Sequence, residues 1–349
     1  MASKIRALVS IIFVCIIISA QGQIPDGYYT NAEGLHGEVL KSSLNDIIEC
    51  HTEYSYTSTS TDVWDILKES DRDTANPDNV ILFYTGWSVD AAQEYNNASG
   101  WSREHVWAKS RGDFGTDKGA GTDAHHLRPC DISVNSARNS RWFDNCTEPY
   151  LDGGLETGCF TSSTSWVWQP RDEVKGDVAR MIFYMATRYE GEDGELDLEV
   201  IDYLPDDNYT KDPIHAKIDA LLEWHHDDPV DDFERNRNEV VYSYQHNRNP
   251  FIDHPEYVSL IWEDNQNVWN EVTDLGVYPN PAGHTIYVNN PNNQDLILYN
   301  YMGLPKGYFN NSTLDLSEVD SGIYILVMLD LVGHPITSSK ILIKPRREE

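Results

Sequence analysis

Between Trp101 and Arg141 the chain gathers most of the side chains that could do chemistry, in three segments. The first is Trp101-Ser102-Arg103-Glu104-His105-Val106-Trp107-Ala108-Lys109-Ser110. The second is Thr122-Asp123-Ala124-His125-His126-Leu127-Arg128-Pro129, and the third is Val134-Asn135-Ser136-Ala137-Arg138-Asn139. Together they supply a proton acceptor, hard oxygen ligands and several cations. Phosphodiester hydrolysis needs those parts: a group to take a proton from water, a cation for the leaving oxygen, and positive charge facing the pentacovalent phosphate. Glu104 is a hard carboxylate suited to Mg²⁺ or Ca²⁺. The His105 imidazole is a poor ligand for those ions but, with an ordinary pKa of about 6.5, a good base near neutrality. Asn135 can give a neutral carbonyl oxygen to the same ion, the remaining positions being left to water and phosphate.

These residues need elements to hold them. Neighbours in a strand point to opposite faces, so Glu104 and His105 can flank one ion only where the strand twists or ends, which favours separate roles. Helices are expected over 36–49 (Leu40, Leu44, Ile47, Ile48) and 60–69 (Val63, Trp64, Leu67). Val80–Tyr84 reads as a strand, with polar loop from there to Gly100. A helix over 171–189 buries Val174, Val178, Met181, Ile182 and Met185, the two methionines being core rather than cofactor ligands. Two more helices are expected over 213–225 and 229–245. A polar stretch over 263–275 marks a boundary. Beyond it, strands at 285–288, 296–301, 322–328 and 336–343, parted by Pro, Gly, Asn and Asp, suggest a small antiparallel sandwich with no catalytic cluster.

Composition bounds the reading. The chain has 349 residues, 40% of them hydrophobic and 11% aromatic, which excludes a disordered polyelectrolyte and allows more than one domain. Its formal charge of −31 argues at first against a polyanionic partner, yet residues 101–141 hold seven Lys/Arg against five Asp/Glu, a local +2. A cationic groove on an acidic body can engage phosphate with the help of a bound cation. At the N-terminus Lys4 and Arg6 precede an apolar run from Leu8 to Ile18 and then small or polar residues, the order of a secretory signal peptide cut near Ala20 or Gly22. No later stretch is long enough to span a membrane. Removal of the signal leaves Cys50, Cys130, Cys146 and Cys159, an even set suited to an oxidising compartment. Three pairings are possible; joining Cys146 to Cys159 closes a short loop and leaves Cys50 for Cys130.

The Arg-Glu-His-Val, Asp-x-His-His-Leu-x-Pro and Val-Asn-x-x-Arg segments resemble the bacterial endonuclease I family of secreted or periplasmic nucleases. Gly176-Asp177-Val178-Ala179-Arg180 and Asn247-Arg248-Asn249-Pro250-Phe251-Ile252-Asp253-His254-Pro255 extend the likeness to about residues 30–260. The family usually has Pro where this chain has Ala108, and a small hydroxyl residue where it has Cys130. The resemblance implies an α+β fold with a ββα-metal (His-Me finger) core surrounded by helices. It implies His105 as general base and Glu104 and Asn135 as ligands of Mg²⁺ (or Ca²⁺ or Mn²⁺). A transition-state arginine is expected among Arg128, Arg138 and Arg103. Arg103, Lys109, Arg111, His125, His126, Asn139 and Arg141 are candidates for substrate contact, and His125 or the backbone near it for orienting the His105 ring. The implied reaction is little-specific endonucleolytic hydrolysis of DNA and possibly RNA, leaving 5′-phosphates.

Each residue has a plainer alternative. An acid and an imidazole can share a surface strand by chance, Asn before a helix is usually an N-cap, and basic side chains commonly just solvate a face. One of His125 and His126 can sit in the core while the other lines a groove.

The tail resembles the C-terminal sorting domain of proteins exported by the type IX secretion system. The carrying residues are Val277-Tyr278-Pro279-Asn280-Pro281, Tyr299-Asn300-Tyr301-Met302-Gly303, Leu314-Asp315-Leu316-Ser317, Gly322-Ile323-Tyr324 and Lys340-Ile341-Leu342-Ile343-Lys344. The expected organisation is therefore a signal peptide (1–22), a catalytic domain (23–262), a linker (263–275) and an all-β sorting domain (276–349). Expected partners are a nucleic-acid substrate and the type IX machinery, with no membrane span. Two rival functions fit parts of the pattern. His105, His125, His126 and Cys130 would make a zinc hydrolase, although no His-Glu-x-x-His or paired Cys-x-x-Cys supports it. A secreted adhesin that binds nucleic acid without cutting it is the other.

Overall fold

The computed structural model describes residues 24–95, 100–191, 194–263, 275–290, 294–300, 304–329 and 335–344. The expected signal peptide and nearly all of the expected linker lie outside these residues. No helix among them is long and apolar enough to cross a membrane. The chain divides into two compact units, one holding Lys41–Tyr257, the other holding Val258–Glu349 together with Leu35–Leu40.

The larger unit mixes helices with small sheets. Helices α1 (Gly37–Ile48) and α2 (Val63–Ser70) come first. Asp62 caps α2, accepting from the Trp64 N–H while the Asp65 side chain returns to the Asp62 N–H; this reciprocal box fixes where the helix starts. A hairpin follows, β1 (Asn79–Ile81) with β2 (Ser88–Asp90) antiparallel. The β2 strand lies in the stretch expected to be loop, because Trp87 and Val89 pack onto the core around Val63, Leu67, Val80 and Trp101.

At the centre, β3 (Trp101–His105) pairs antiparallel with β4 (Leu127–Asp131), which runs straight into α3 (Ile132–Arg138). Next comes a four-stranded sheet in the order β5-β8-β7-β6. Its strands are β5 (Trp142–Phe143), β6 (Glu148–Asp152), β7 (Leu155–Thr161) and β8 (Val167–Gln169), none of them expected. Helix α4 (Lys175–Arg188) is buried all round from Gly176 to Arg188, so its charged residues are paired inside. The expected helix over 213–225 begins instead with a strand: β9 (Glu199–Ile201) and β10 (Ile214–Lys217) pair in parallel, with a bulge where Ala216 takes a φ of +62°. Helices α5 (Ile218–Asp227), α6 (Asp232–Gln245) and α7 (Pro250–Asp253) complete the unit.

Buried ion pairs seat β4. Arg128 donates from Nε to Asp71 at 2.6 Å and from Nη1 to Asp177 at 2.9 Å, tying the strand to the end of α2 and the first turn of α4. Arg237 on α6 reaches Asp71 and donates to the Leu127 carbonyl at 2.6 Å. Asn45 on α1 donates to the Thr187 and Arg188 carbonyls at the end of α4.

In the smaller unit β12 (Leu296–Asn300), β13 (Pro305–Phe309), β15 (Gly322–Leu329) and β16 (Pro335–Ile343) form an antiparallel sheet in the order β13-β12-β15-β16. Strands β11 (Thr285–Tyr287) and β14 (Thr313–Asp315) pair separately. Alternate residues Leu296, Leu298, Tyr324, Leu326, Met328, Ile341 and Ile343 pack with Ile286 and Leu314, as period-two patterning requires. Residues 301–303 of the expected Tyr-Asn-Tyr-Met-Gly segment lie outside the description.

The expected disulfides are not formed. All four cysteines are free, with Cys50 exposed and Cys130 buried in β4. The Cys159 thiol donates to the Tyr84 carbonyl at 3.2 Å instead of bonding to Cys146.

Candidate active site

The β3–β4–α3 unit places the three central residues on one pocket of about 320 Å³, lined among others by Glu104, His105, Asn135, Lys109 and Asn139. His105 ends β3, where the alternation of faces ends too, so both it and Glu104 reach the pocket. Asp131 caps α3, accepting from the Ser133 and Val134 N–H groups, which sets Asn135 one turn in. The Asn135 amide donates from Nδ2 to Ser102 Oγ at 3.1 Å and to the Arg103 carbonyl at 3.3 Å. A carbonyl only accepts, so the nitrogen must face β3, and Oδ1 has no partner among the described residues.

Glu104 is 2% exposed and takes a hydrogen bond from the Tyr84 hydroxyl on Oε1 at 2.9 Å. Arg138 Nη1 stands 3.3 Å from the same oxygen, and Oε2 has no partner among the described residues. Burial pushes the Glu104 carboxyl up to about 7, against the pull of Arg138 and of the Tyr84 hydroxyl. The His105 ring lies against Tyr56, with centroids 5.6 Å apart and planes inclined by 21°. Its Nε2 meets the Gly121 carbonyl at 3.0 Å. In the neutral ring that carbonyl fixes the proton on Nε2 and leaves the Nδ1 lone pair as the base. Burial, and then the neighbouring His126, hold the His105 pKa well below its ordinary value, so the ring is unprotonated at neutral pH.

The pocket suits a hard cation. A carboxylate oxygen and an amide oxygen, both without protein partners among the described residues, belong to residues that line one cavity, and most of a cation's coordination would fall to water and substrate. Among the described residues no three His, Cys, Asp or Glu side chains gather as a metal site. The four residues of the zinc alternative are spent elsewhere. The Nε2 atoms of His105, His125 and His126 lie on the carbonyls of Gly121, Asn247 and Ala120, and the Cys130 thiol is buried with its pKa pushed well up by desolvation.

The basic and histidine candidates disperse. Arg128 is buried between Asp71 and Asp177 and is not among the pocket residues, which corrects its expected catalytic role; two carboxylates claimed it. Arg138 does line the pocket. It donates to the His105, Asn139 and Val106 carbonyls and meets His215, so it braces the end of β3. Arg111 is fully buried against Trp142, its guanidinium carbon 3.2 Å from the ring centroid, and is not among the residues of this pocket. His125 and His126 are 1% and 0% exposed and are not among the pocket residues, unlike the expectation for them; the His125 N–H donates to the Asp123 carboxylate, which also accepts from Tyr184, Tyr189 and Gln245, and this network holds the segment in the core. Arg103 lines the pocket, but its guanidinium is held between Tyr56 and Trp64 and donates to the Tyr56 carbonyl and Thr57. Lys109 is exposed at the pocket. Asn139 ends α3 and its Oδ1 accepts from the Ser140 N–H. Arg141 is half-buried over Trp166.

Tyr84, Tyr56 and Gly121 belong to the site and carried no motif of their own. Gly121 alone had a signal, standing between the Arg-Glu-His-Val and Asp-x-His-His segments. A Cβ there would lie 2.5 Å from the Asp117 carbonyl oxygen, so only glycine allows this carbonyl to reach His105.

Comparison with known proteins covers this same region. The family model described as Endonuclease I matches residues 36–256. An extracellular ribonuclease of Bacillus subtilis (strain 168) is 54% identical over 238 residues, 68% of this chain and 78% of the relative. An extracellular ribonuclease of Bacillus amyloliquefaciens is 52% identical over 236 residues, 67% of this chain and 78% of the relative.

Proposed function

The chain belongs to the Endonuclease I family, and on that premise we propose that it is an extracellular, divalent-metal-dependent endonuclease that hydrolyses phosphodiester bonds in RNA and DNA to 5′-phosphate products. One observation carries the reading: an imidazole with a free Nδ1 shares a pocket with a carboxylate oxygen and an amide oxygen that have no protein partners among the described residues. His105 Nδ1 takes the proton of a water whose oxygen attacks phosphorus. The bond to the 3′-oxygen breaks, and that oxygen leaves with a solvent proton as a 3′-hydroxyl. Glu104 and Asn135 would hold Mg²⁺ or Ca²⁺, which when bound would supply neutralising charge to the leaving oxygen. Tyr84 and Arg138 keep the Glu104 carboxylate in place, the Gly121 carbonyl sets the His105 tautomer, and Lys109 is the exposed cation for the phosphoryl oxygens. The names of both relatives favour RNA among the substrates and an extracellular site of action.

The test is cleavage of RNA and of single- and double-stranded DNA after chelation, with Mg²⁺, Ca²⁺ or Zn²⁺ added back. We expect activity with Mg²⁺ or Ca²⁺, and a fall of roughly 10²- to 10⁴-fold in kcat for His105→Ala. Restoration by Zn²⁺ alone, or binding without cleavage by the wild type, would overturn the proposal.

The tail we read as a type IX sorting signal, supported by its segment pattern and by its lying beyond the family match at residue 256. Fusion of residues 276–349 to a reporter that carries its own secretory signal peptide, in a host with that system, should export the reporter. Retention inside the cell would count against it.

A further inference from the structure

We infer that Tyr209, with Trp166 and Arg141 beside it, forms a stacking platform for an unpaired nucleobase at the rim of the catalytic pocket, which makes single-stranded nucleic acid the preferred substrate. This rests on the nuclease reading above.

Tyr209 is 66% exposed, its ring 5.2 Å from that of Trp166 and inclined to it by 52°. The Arg141 guanidinium carbon lies 4.0 Å from the Trp166 centroid, and Arg141 Nε donates to the Ala137 carbonyl at 3.1 Å. A lone exposed tyrosine is ordinary; this one is clamped to the site. Buried Arg111 donates from Nη2 to the Ser140 carbonyl at 2.6 Å and to the Asn208 carbonyl at 2.9 Å, and from Nη1 to the Thr210 carbonyl at 3.2 Å. The residues on either side of Tyr209 are therefore tied to Ser140, which lines the pocket with Ser136 and Asn139. The Asp207 carboxylate also accepts from the Tyr209 N–H at 2.9 Å, holding the turn before any ligand arrives.

An amphipathic ring held rigidly beside a guanidinium suits a base attached to a phosphate. Bases in a duplex stack on each other and cannot offer a face, whereas an unpaired base can, whatever its identity. Such a platform would favour single strands without a sequence code, and the 2′-hydroxyl plays no part in it.

Fluorescence anisotropy in EDTA, where cleavage is stopped, tests the full chain with three probes. These are a short labelled single strand, the same strand made abasic, and its duplex. The wild type should bind the base-bearing single strand at least about five-fold more tightly than the other two. Tyr209→Ala should erase that advantage and Tyr209→Phe should keep it. Arg141→Ala should weaken the base-bearing and abasic strands alike. Equal wild-type binding of base-bearing and abasic strands, or an advantage that survives Tyr209→Ala, overturns the platform. Hydrolysis of bis(p-nitrophenyl) phosphate, compared between wild type and His105→Ala, judges the nuclease reading separately, since that diester has no base to stack.

Discussion

Glu104 is almost wholly buried in the pocket wall, so its charge depends largely on what the protein and an incoming cation provide. The Tyr84 hydroxyl on Oε1 leaves Oε2 without a protein partner among the described residues. Tyr84→Phe keeps the ring that packs against Trp168 and removes only that donor. It should therefore weaken activation by Mg²⁺ by about 10- to 100-fold, read from the metal dependence of cleavage. An unchanged activation constant would show that the hydroxyl does not orient the ligand. At Gly121 the argument is steric. Even a methyl group would meet the Asp117 backbone, so Gly121→Ala should displace the carbonyl that fixes the His105 tautomer. A fall in kcat of roughly 10²-fold is expected, larger than any change in KM. A kcat within about two-fold of wild type would detach Gly121 from the base.

Among the elements, β3, β4 and α3 hold the site, and β4 is held by charge. Arg128 was one of three arginines expected to include the transition-state cation. Asp71 and Asp177, far away in sequence, decide otherwise. Removing the guanidinium leaves two buried carboxylates with only part of their compensation from Arg237. Arg128→Met should destabilise the fold by about 3 to 5 kcal/mol, seen as a drop in the urea or thermal midpoint. A midpoint within about 2 °C of wild type would contradict the network. Helices α1, α2 and α4 were legible from their apolar spacing, and α6 lies within the expected 229–245. Strands β5 to β8 were not, β5 and β8 being two or three residues long and β6 and β7 largely exposed, with no sustained apolar alternation. The strand at Ile214–Lys217 was hidden because its partner Glu199–Ile201 is supplied by a separate stretch of chain.

Across the larger unit, acid sensitivity is built into the core. His125 and His126 are held down to about 4 by burial, against the pull of Asp123. Below about pH 6.5 the unfolded chain takes up protons that these buried rings refuse, so stability falls as pH drops from 6.5 toward 4, and above 6.5 the contribution vanishes. Each ring accounts for roughly 3 kcal/mol by pH 4. Glu104, raised to about 7, acts in the opposite sense between about 4.5 and 7 and offsets about one histidine, whereas His105 and His215, lowered well below their ordinary value by burial, add to the loss. The melting temperature should thus fall between about pH 7 and pH 4.5, with a shallower slope in His126→Gln. A flat profile, or an unchanged slope in that variant, would refute it.

By itself the sequence determined the local chemistry: an acid and an imidazole adjacent in a strand, an amide some thirty residues on, and the periodicities of the longer helices. These follow from spacing along the chain, which covalent geometry fixes. Only the tertiary structure decided which cations face the pocket and which lie in the core. Arg128, Arg111, His125 and His126 share residue types with true substrate ligands, and their fate depends on partners contributed by distant segments. It likewise left the four cysteines as free thiols and brought Tyr84, Tyr56 and Gly121 to the site, because burial and long-range pairing are properties of the folded chain and have no period in sequence.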